Sequence, residues 1–365
     1  MLAVVCRLDV ARMRPLAGSA EIVVPERVEA ELARRPGALE HVGRTTARQG
    51  QVRAMGDSPV EAVLNIRAQH AEGPLWDAET GRLWWVDIMG ERVHCFDPES
   101  TNDSSWSTPG QPGGVVLSSA GHPVVATPGG LAVLDRGTGS TDLLVPIEPD
   151  RPENRANDVK VDSRGRSWVG TMAYDKRPRN AALYRVDGDK AACVVEGLTI
   201  SNGPAFDEEQ GRLYLADTAR CVIDVFDLDP DTGAIAGRRR FLDFGDIEAW
   251  PDGMTVDDDG MLWVALGRAG QVHRYRGDGT LDGVITLPTT NPTSVTFGGD
   301  DGGDLYITSS WFDVEPASRA DQPLAGAIFR SRPGVTGHPS PRWADLPPIS
   351  AADLDAPRPG KGDNP

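Results

Sequence analysis

Four stretches of the chain share one alternation of apolar and polar positions. They read EGPLWDAETGRLWWVDI, NDVKVDSRGRSWVGTM, NGPAFDEEQGRLYLADT and DGMTVDDDGMLWVAL, and begin at Glu72, Asn157, Asn202 and Asp252. In each, an oxygen-bearing side chain precedes a short period-two run. The run breaks at Asp-x-x-Gly or a form one residue longer, and a second run follows with an aromatic residue. Alternation of this length, bounded by turn residues, predicts paired β-strands.

Two weaker copies, PGGVVLSSAGHPVVAT from Pro112 and TSVTFGGDDGGDLYITSS from Thr293, complete the series. The units start at 72, 112, 157, 202, 252 and 293, and such spacing suits a propeller blade of four short strands, which needs roughly 40 to 50 residues. The expected fold is all-β: a six-bladed β-propeller with four-stranded antiparallel blades over residues 56–347, a short N-terminal extension over 1–55 and a disordered C-terminal tail over 348–365. Val60 to Ile66 alternates as a strand ahead of the first unit. It is expected to complete the last blade, so that the ring closes and leaves no open edge.

Composition narrows the partners. Gly 41 and Pro 29 supply turns, and no apolar run is long enough to span a membrane. A net charge of −17 argues against nucleic acid, whose phosphates repel an acidic surface; Arg238, Arg239 and Arg240 read as a solvated hairpin edge. The first 55 residues stand apart, with nine arginines against six carboxylates and helical spacing at Val28, Leu32 and Leu39 broken by Pro36. They read as an appendage, disordered or loosely packed, and Met55 offers an alternative start. Cys6, Cys95, Cys193 and Cys221 form no zinc or Cys-x-x-Cys pattern, and the N-terminus carries no secretory signal. A cytoplasmic protein with reduced thiols is expected, a monomer or weak homo-oligomer.

Residues at one repeat offset come from different blades yet converge on the ring axis at one height. Glu72, Asn157, Asn202 and Asp252 share that offset, and together they make a hard, oxygen-only set suited to Ca²⁺, Mg²⁺ or Mn²⁺, with Zn²⁺ also compatible. Taken singly, Asn202-Gly203 and Asp252-Gly253 read better as turn formers; as a ring of four they point to a metal or substrate site. Asp77, Asp162, Asp207 and Asp257, five positions later, precede the Gly of a strand turn and are expected to shape it. Trp84, Trp168, Tyr214 and Trp263 recur at one offset and are expected to pack between blades. No Gly-x-Ser-x-Gly elbow is present, Ser201 has no evident histidine partner, and His70, two residues before Glu72, reads either as a base or as a packed residue.

These phrases, with ENRAND around Arg155, PTSVTFGGDDGGDLYITS and the closing AGAIFR, resemble the gluconolactonase, luciferin-regenerating enzyme and regucalcin (senescence marker protein) family over about residues 60 to 345. The resemblance implies a divalent cation held by Glu72, Asn202 and Asp252, a sugar lactone contacted by Arg155 and Asn157, and Asp252 as the group that takes a proton from the attacking water. It implies a metal-dependent lactonase. Two departures bear on the substrate: Asn157-Asp158-Val159 stands where the family has Asn-Asp-Gly, and Asp175 in GTMAYD stands where regucalcin-like members place a longer acidic contact. The competing readings are a non-enzymatic calcium-binding or protein-binding propeller, and a hydrolase of other small esters or organophosphates.

Overall fold

The computed structural model describes residues 53–54, 59–247 and 249–344. Their strands form six separate sheets, each with four antiparallel strands, arranged as a six-bladed β-propeller. Each blade begins with its inner strand and works outward: the inner strands are Ala71–Asp77, Gly114–Leu117, Asn154–Val161, Ser201–Asp207, Trp250–Val256 and Pro292–Gly298. The sixth blade is finished by the N-terminal strand Glu61–Leu64, antiparallel to Ile328–Ser331, as the alternation over Val60 to Ile66 predicts. The expected extension over 1–55 and tail over 348–365 lie outside the described residues, apart from Arg53–Ala54. Those two residues pair in parallel with Leu281–Thr286 at the outer edge of the fifth blade.

The apolar face of each strand is buried against the next blade. Trp168, Leu183 and Val195 of the third blade pack on Leu213 and Phe226 of the fourth, and Trp263 and Ala265 of the fifth pack on Val295 and Phe297 of the sixth. Trp76 and Trp85 of the first blade meet Tyr306 and Ile328 of the sixth, which seals the ring. All four expected packing aromatics sit in such clusters. A side chain of this kind contributes about 1.5–3 kcal/mol when taken fully from water, so the ring is held by burial between blades as much as by hydrogen bonds within them.

The turn aspartates do more than shape turns. Asp162 accepts the amides of Arg164 and Arg166 at 3.1 and 3.0 Å, the Arg166 Nε at 2.7 Å and the indole N–H of Trp168 at 2.9 Å. Asp257 repeats this with Asp259, Met261, Arg274 and Trp263. Each carboxylate thus anchors both the turn and the interblade tryptophan. After the last blade the chain crosses this same end of the ring: Gly337 bonds Gly302, Arg342 pairs with Asp77 at 2.7 Å, buried Trp343 lies beside Leu117 and Ser119, and Ala344 bonds Gly165. Among the described residues no helix is long and apolar enough to cross a membrane, and Cys95, Cys193 and Cys221 are not in disulfides.

Candidate active site

A break in strand register occurs near the start of five inner strands, between Glu72 and Leu75, Ala156 and Asp158, Asn202 and Ala205, Pro251 and Met254, and Pro292 and Val295. A β-bulge re-aims the side chain it carries, and four of these breaks carry Glu72, Asn157, Asn202 and Asp252. All four line one cavity of about 540 Å³ at the axis, together with Arg155. The inner strands crowd there. A Cβ on Gly73, whose φ is +53°, would stand 3.0 Å from Gly114 Cα, and one on Gly253 would stand 1.9 Å from Ser294 Oγ, so only glycine lets neighbouring strands approach this closely after a site residue.

Two aspartates at the ends of second strands hold the entry to the site strands. Asp87 accepts the amides of Gln69 and His70, both at 2.9 Å, just ahead of Glu72. Asp217 does the same for Thr199 and Ile200, at 3.2 Å each, ahead of Asn202. Both belong to the repeated phrase, in WWVDI and YLADT, where their common offset was the signal for this role.

The amides are locked by a chain of hydrogen bonds. Asn157 Nδ2 donates to Ser201 O at 3.0 Å and to Asn202 Oδ1 at 2.7 Å; Asn202 Nδ2 donates to Thr218 Oγ1 at 2.7 Å, and that hydroxyl donates to Pro251 O at 2.7 Å. The orientation of both carboxamides follows from this chain. The carboxylates are treated differently. Glu72 is buried, its Oε2 accepts the Gly73 amide, its Oε1 meets no N–H or hydroxyl donor, and its carboxyl lies within hydrogen-bonding reach of the Asp252 carboxyl.

Burial raises the Glu72 carboxyl above the usual range, against the opposing effects of His70 and the Gly73 amide. Asp252 is raised well above the usual range by burial first, then by the charges of Glu72 and Asp158. Asp158 is raised to about 7, chiefly by burial, with Lys160 opposing and Glu72 adding. Three buried carboxyl groups without a facing cation are costly as anions. Arg155 is likewise buried, its Nε unpartnered and its pKa lowered to about 10 by desolvation; its Nη1 donates to Ala156 O at 2.8 Å.

A divalent cation fits this set, because it would meet the orphaned Glu72 oxygen and offset the mutual repulsion of the carboxylates. Among the described residues no three His, Cys, Asp or Glu side chains form a metal-ligating group; the set Glu72, Asn202 and Asp252 takes its third donor from an amide.

The structure does not bring Asp175 to the cavity. Its exposed carboxylate is paired with Arg177 Nε at 3.0–3.1 Å, while its neighbours Tyr174 and Lys176 line the cavity. Lys176 has φ +55° and its amide bonds Ala173 O, a tight turn that sends Asp175 outward. Ser201 is fully buried in the direction of Gly170 rather than among the cavity-lining residues. His70 does line the cavity, and its Nδ1 lies 3.0 Å from Ser310 Oγ and 2.8 Å from Asp313 Oδ2. Burial pushes the Asp313 carboxyl up, but the His70 bond and charge together bring it down to about 2. Sequence reasoning missed Asp158 as a third buried carboxyl, although it adjoins Asn157, and missed Asp313, which sits in a loop outside the repeated phrase.

Residues 70–311 match the model of the SMP-30/gluconolactonase/LRE-like region. The pentonolactonase XacC of Haloferax volcanii is 34% identical over 293 residues, covering 77% of this chain and 96% of its own length. Regucalcin of Danio rerio is 33% identical over 290 residues, covering 78% and 98%. A crystal structure of a calcium-binding protein, regucalcin, from Agrobacterium tumefaciens superposes with a TM-score of 0.75 at 26% identity, covering 78% of this chain and 97% of that one. With the matched region spanning most of the propeller and including the site residues, the chain belongs to the SMP-30/gluconolactonase/LRE-like family.

Proposed function

We propose that this protein hydrolyses lactones, sugar lactones among them, with one divalent cation (Ca²⁺, Zn²⁺, Mg²⁺ or Mn²⁺) held by Glu72, Asn202 and Asp252. The observation that carries the reading is the unpartnered, buried Glu72 Oε1 beside two further buried carboxyl groups. Relatives named pentonolactonase and 6-deoxy-6-sulfogluconolactonase, at 34% and 35% identity, support the substrate class. A bound divalent cation supplies a Lewis acid for the carbonyl and for the negative charge that develops as an ester is attacked.

The chain's own residues orient and exchange protons. Arg155, with a buried Nε in want of an acceptor, holds a substrate oxygen. Asn157, whose amide protons are both engaged, offers its carbonyl to a substrate hydroxyl. Asp252 in its ionised form takes a proton from the water that attacks the carbonyl carbon; the ring C–O bond then breaks and the proton passes to the departing ring oxygen, giving the open hydroxy acid.

A second reading, cation binding without catalysis, draws on the calcium-binding description of the Agrobacterium tumefaciens relative. The unpartnered Nε of Arg155 favours catalysis, since an ion alone gives this buried N–H no acceptor. The test is a pH-stat assay of gluconolactone and a panel of aldonolactones with cation-stripped protein resupplied with each of the four ions. Restoration by at least one ion, and its loss in Asp252→Ala, is expected; no rate above spontaneous opening with any ion defeats the proposal.

A further inference from the structure

The cavity has a polar floor and an apolar wall. Around the four axial residues and Arg155 rise Ile88, Met89, Met172, Tyr174, Trp250 and Phe312. Of the five exposed large apolar side chains among the described residues, Tyr174 and Phe312, each 46% exposed, both line this cavity. Apolar surface left open to water and gathered at one concavity marks a binding surface rather than the scatter usual on a protein exterior. Trp250 is held in place by the Arg268 guanidinium, 3.8 Å from its ring centroid.

Some polar groups of the wall are already engaged. His70 is bound to Ser310 and Asp313, Thr218 bridges Asn202 and Pro251, and Gln111 donates to Met89 Sδ at 3.5 Å. Lys176 also lines the cavity and faces the Asp313 charge. Asp175, the carboxylate expected to take a hydroxyl, is outside and paired with Arg177. Beyond Arg155 and Asn157 the cavity offers a continuous run of aromatic and thioether surface that a ring's hydroxyls cannot use and an apolar substituent can.

We propose that the substrate is a lactone carrying an apolar substituent, an alkyl chain or aryl ring remote from the scissile ester, which lies against Met89, Met172, Tyr174, Trp250 and Phe312. This rests on the lactonase reading for the ring itself, and a binding measurement separates the two. Binding of δ-valerolactam, a ring that resists hydrolysis, and of its pentyl- and phenyl-substituted forms is measured calorimetrically on the full chain in saturating Ca²⁺. The substituents are expected to tighten binding about tenfold or more, on the order of 1.4 kcal/mol. Phe312→Ala is expected to cut that preference to about threefold or less, and Phe312→Leu to keep part of it; the half-exposed position makes both variants compatible with folding, which a thermal melt checks.

Equal binding of parent and substituted rings, absence of binding by either, or a preference that survives both Phe312→Ala and Trp250→Ala overturns the inference. Turnover of the matching lactones is followed separately. A substituent preference in binding with no lactone opened defeats the lactonase reading and leaves the apolar wall as a binding surface, whereas gluconolactone opened with no substituent preference defeats this inference alone.

Discussion

The inner strands carry buried carboxylates at both ends of the ring axis, and Asp162 and Asp257 at the turn end are treated in the opposite way to Glu72 and Asp252 at the cavity end, with Asp207, whose Oδ2 has no partner, the exception among the turn residues. At the turn end, Asp162 and Asp257 are each surrounded by backbone amides, an arginine and an indole N–H. At the cavity end, Glu72 has an oxygen with no donor, Asp252 is raised by burial and by the charges of Glu72 and Asp158, and Asp158, although it accepts the Val159 and Gly203 amides, is raised by burial and by Glu72 with no cation paired to it. The same side-chain type at the same depth is scaffold where its charge is met and a candidate for chemistry where it is not.

That contrast can be broken most severely at Asp252. Asp252→Asn is expected to lower kcat/KM on gluconolactone by about a thousandfold or more, roughly 4 kcal/mol of transition-state stabilisation, while the melting temperature of the cation-free protein stays level or rises because a repelled charge is gone. Retention of more than about a tenth of the activity would remove Asp252 from the proton transfer. Asp257→Ala should show the mirror image. It leaves the Trp263 indole N–H and two turn amides unmet and takes one of three carboxylates from Arg274, which keeps Asp259 and Asp282, so unfolding in urea should report a loss of about 1–3 kcal/mol, with kcat/KM of the folded protein nearly unchanged; a loss below about 0.5 kcal/mol would mean that the turn does not depend on it.

The pH dependence of the cation-free protein sharpens the comparison next. The folded-state pKa of Asp158, about 7, lies above the unfolded value, so the folded protein holds a proton that the unfolded chain releases between about pH 4 and pH 7. Its contribution is fully present at low pH and lost as pH rises through 7. Melting temperature in chelator should therefore fall from pH 5 to pH 8, by an amount on the order of a few kcal/mol in stability, and saturating Ca²⁺ should flatten or reverse the slope. A chelator profile that does not fall with pH contradicts the assignment of unmet charge to this end. The smallest effect belongs to Asp175→Ala: with its carboxylate outside and paired to Arg177, lactone kcat/KM should change by less than about twofold. A tenfold loss would show that the Lys176 turn rearranges to bring Asp175 inward.

Six units, their order and the closing role of residues 61–64 were legible in the alternation, because strand period and turn residues are local properties that each blade repeats. The convergence of Glu72, Asn157, Asn202 and Asp252 was legible for the same reason: equal offsets in a closed ring face one axis. The direction of Asp175 was not, since it depends on a left-handed residue at Lys176 in a loop that no periodicity constrains. Asp313 and Phe312 escaped notice because they lie in the loop after the weakest copy of the phrase. Asp158 was in plain view, yet it was noted only as part of Asn157-Asp158-Val159 and not as a charge, because nothing along the chain says which carboxyl will be buried without a paired cation.

The sequence by itself determined the blade count, the ring closure and which positions reach the axis, since these follow from the two-residue period of a strand and the recurrence of one turn. Only the tertiary structure decided which of the axial and turn carboxylates are neutralised, which side chains wall the cavity and which expected contact faces away. Partners for a buried charge come from other blades, tens of residues distant along the chain, and are set by packing rather than by any local pattern.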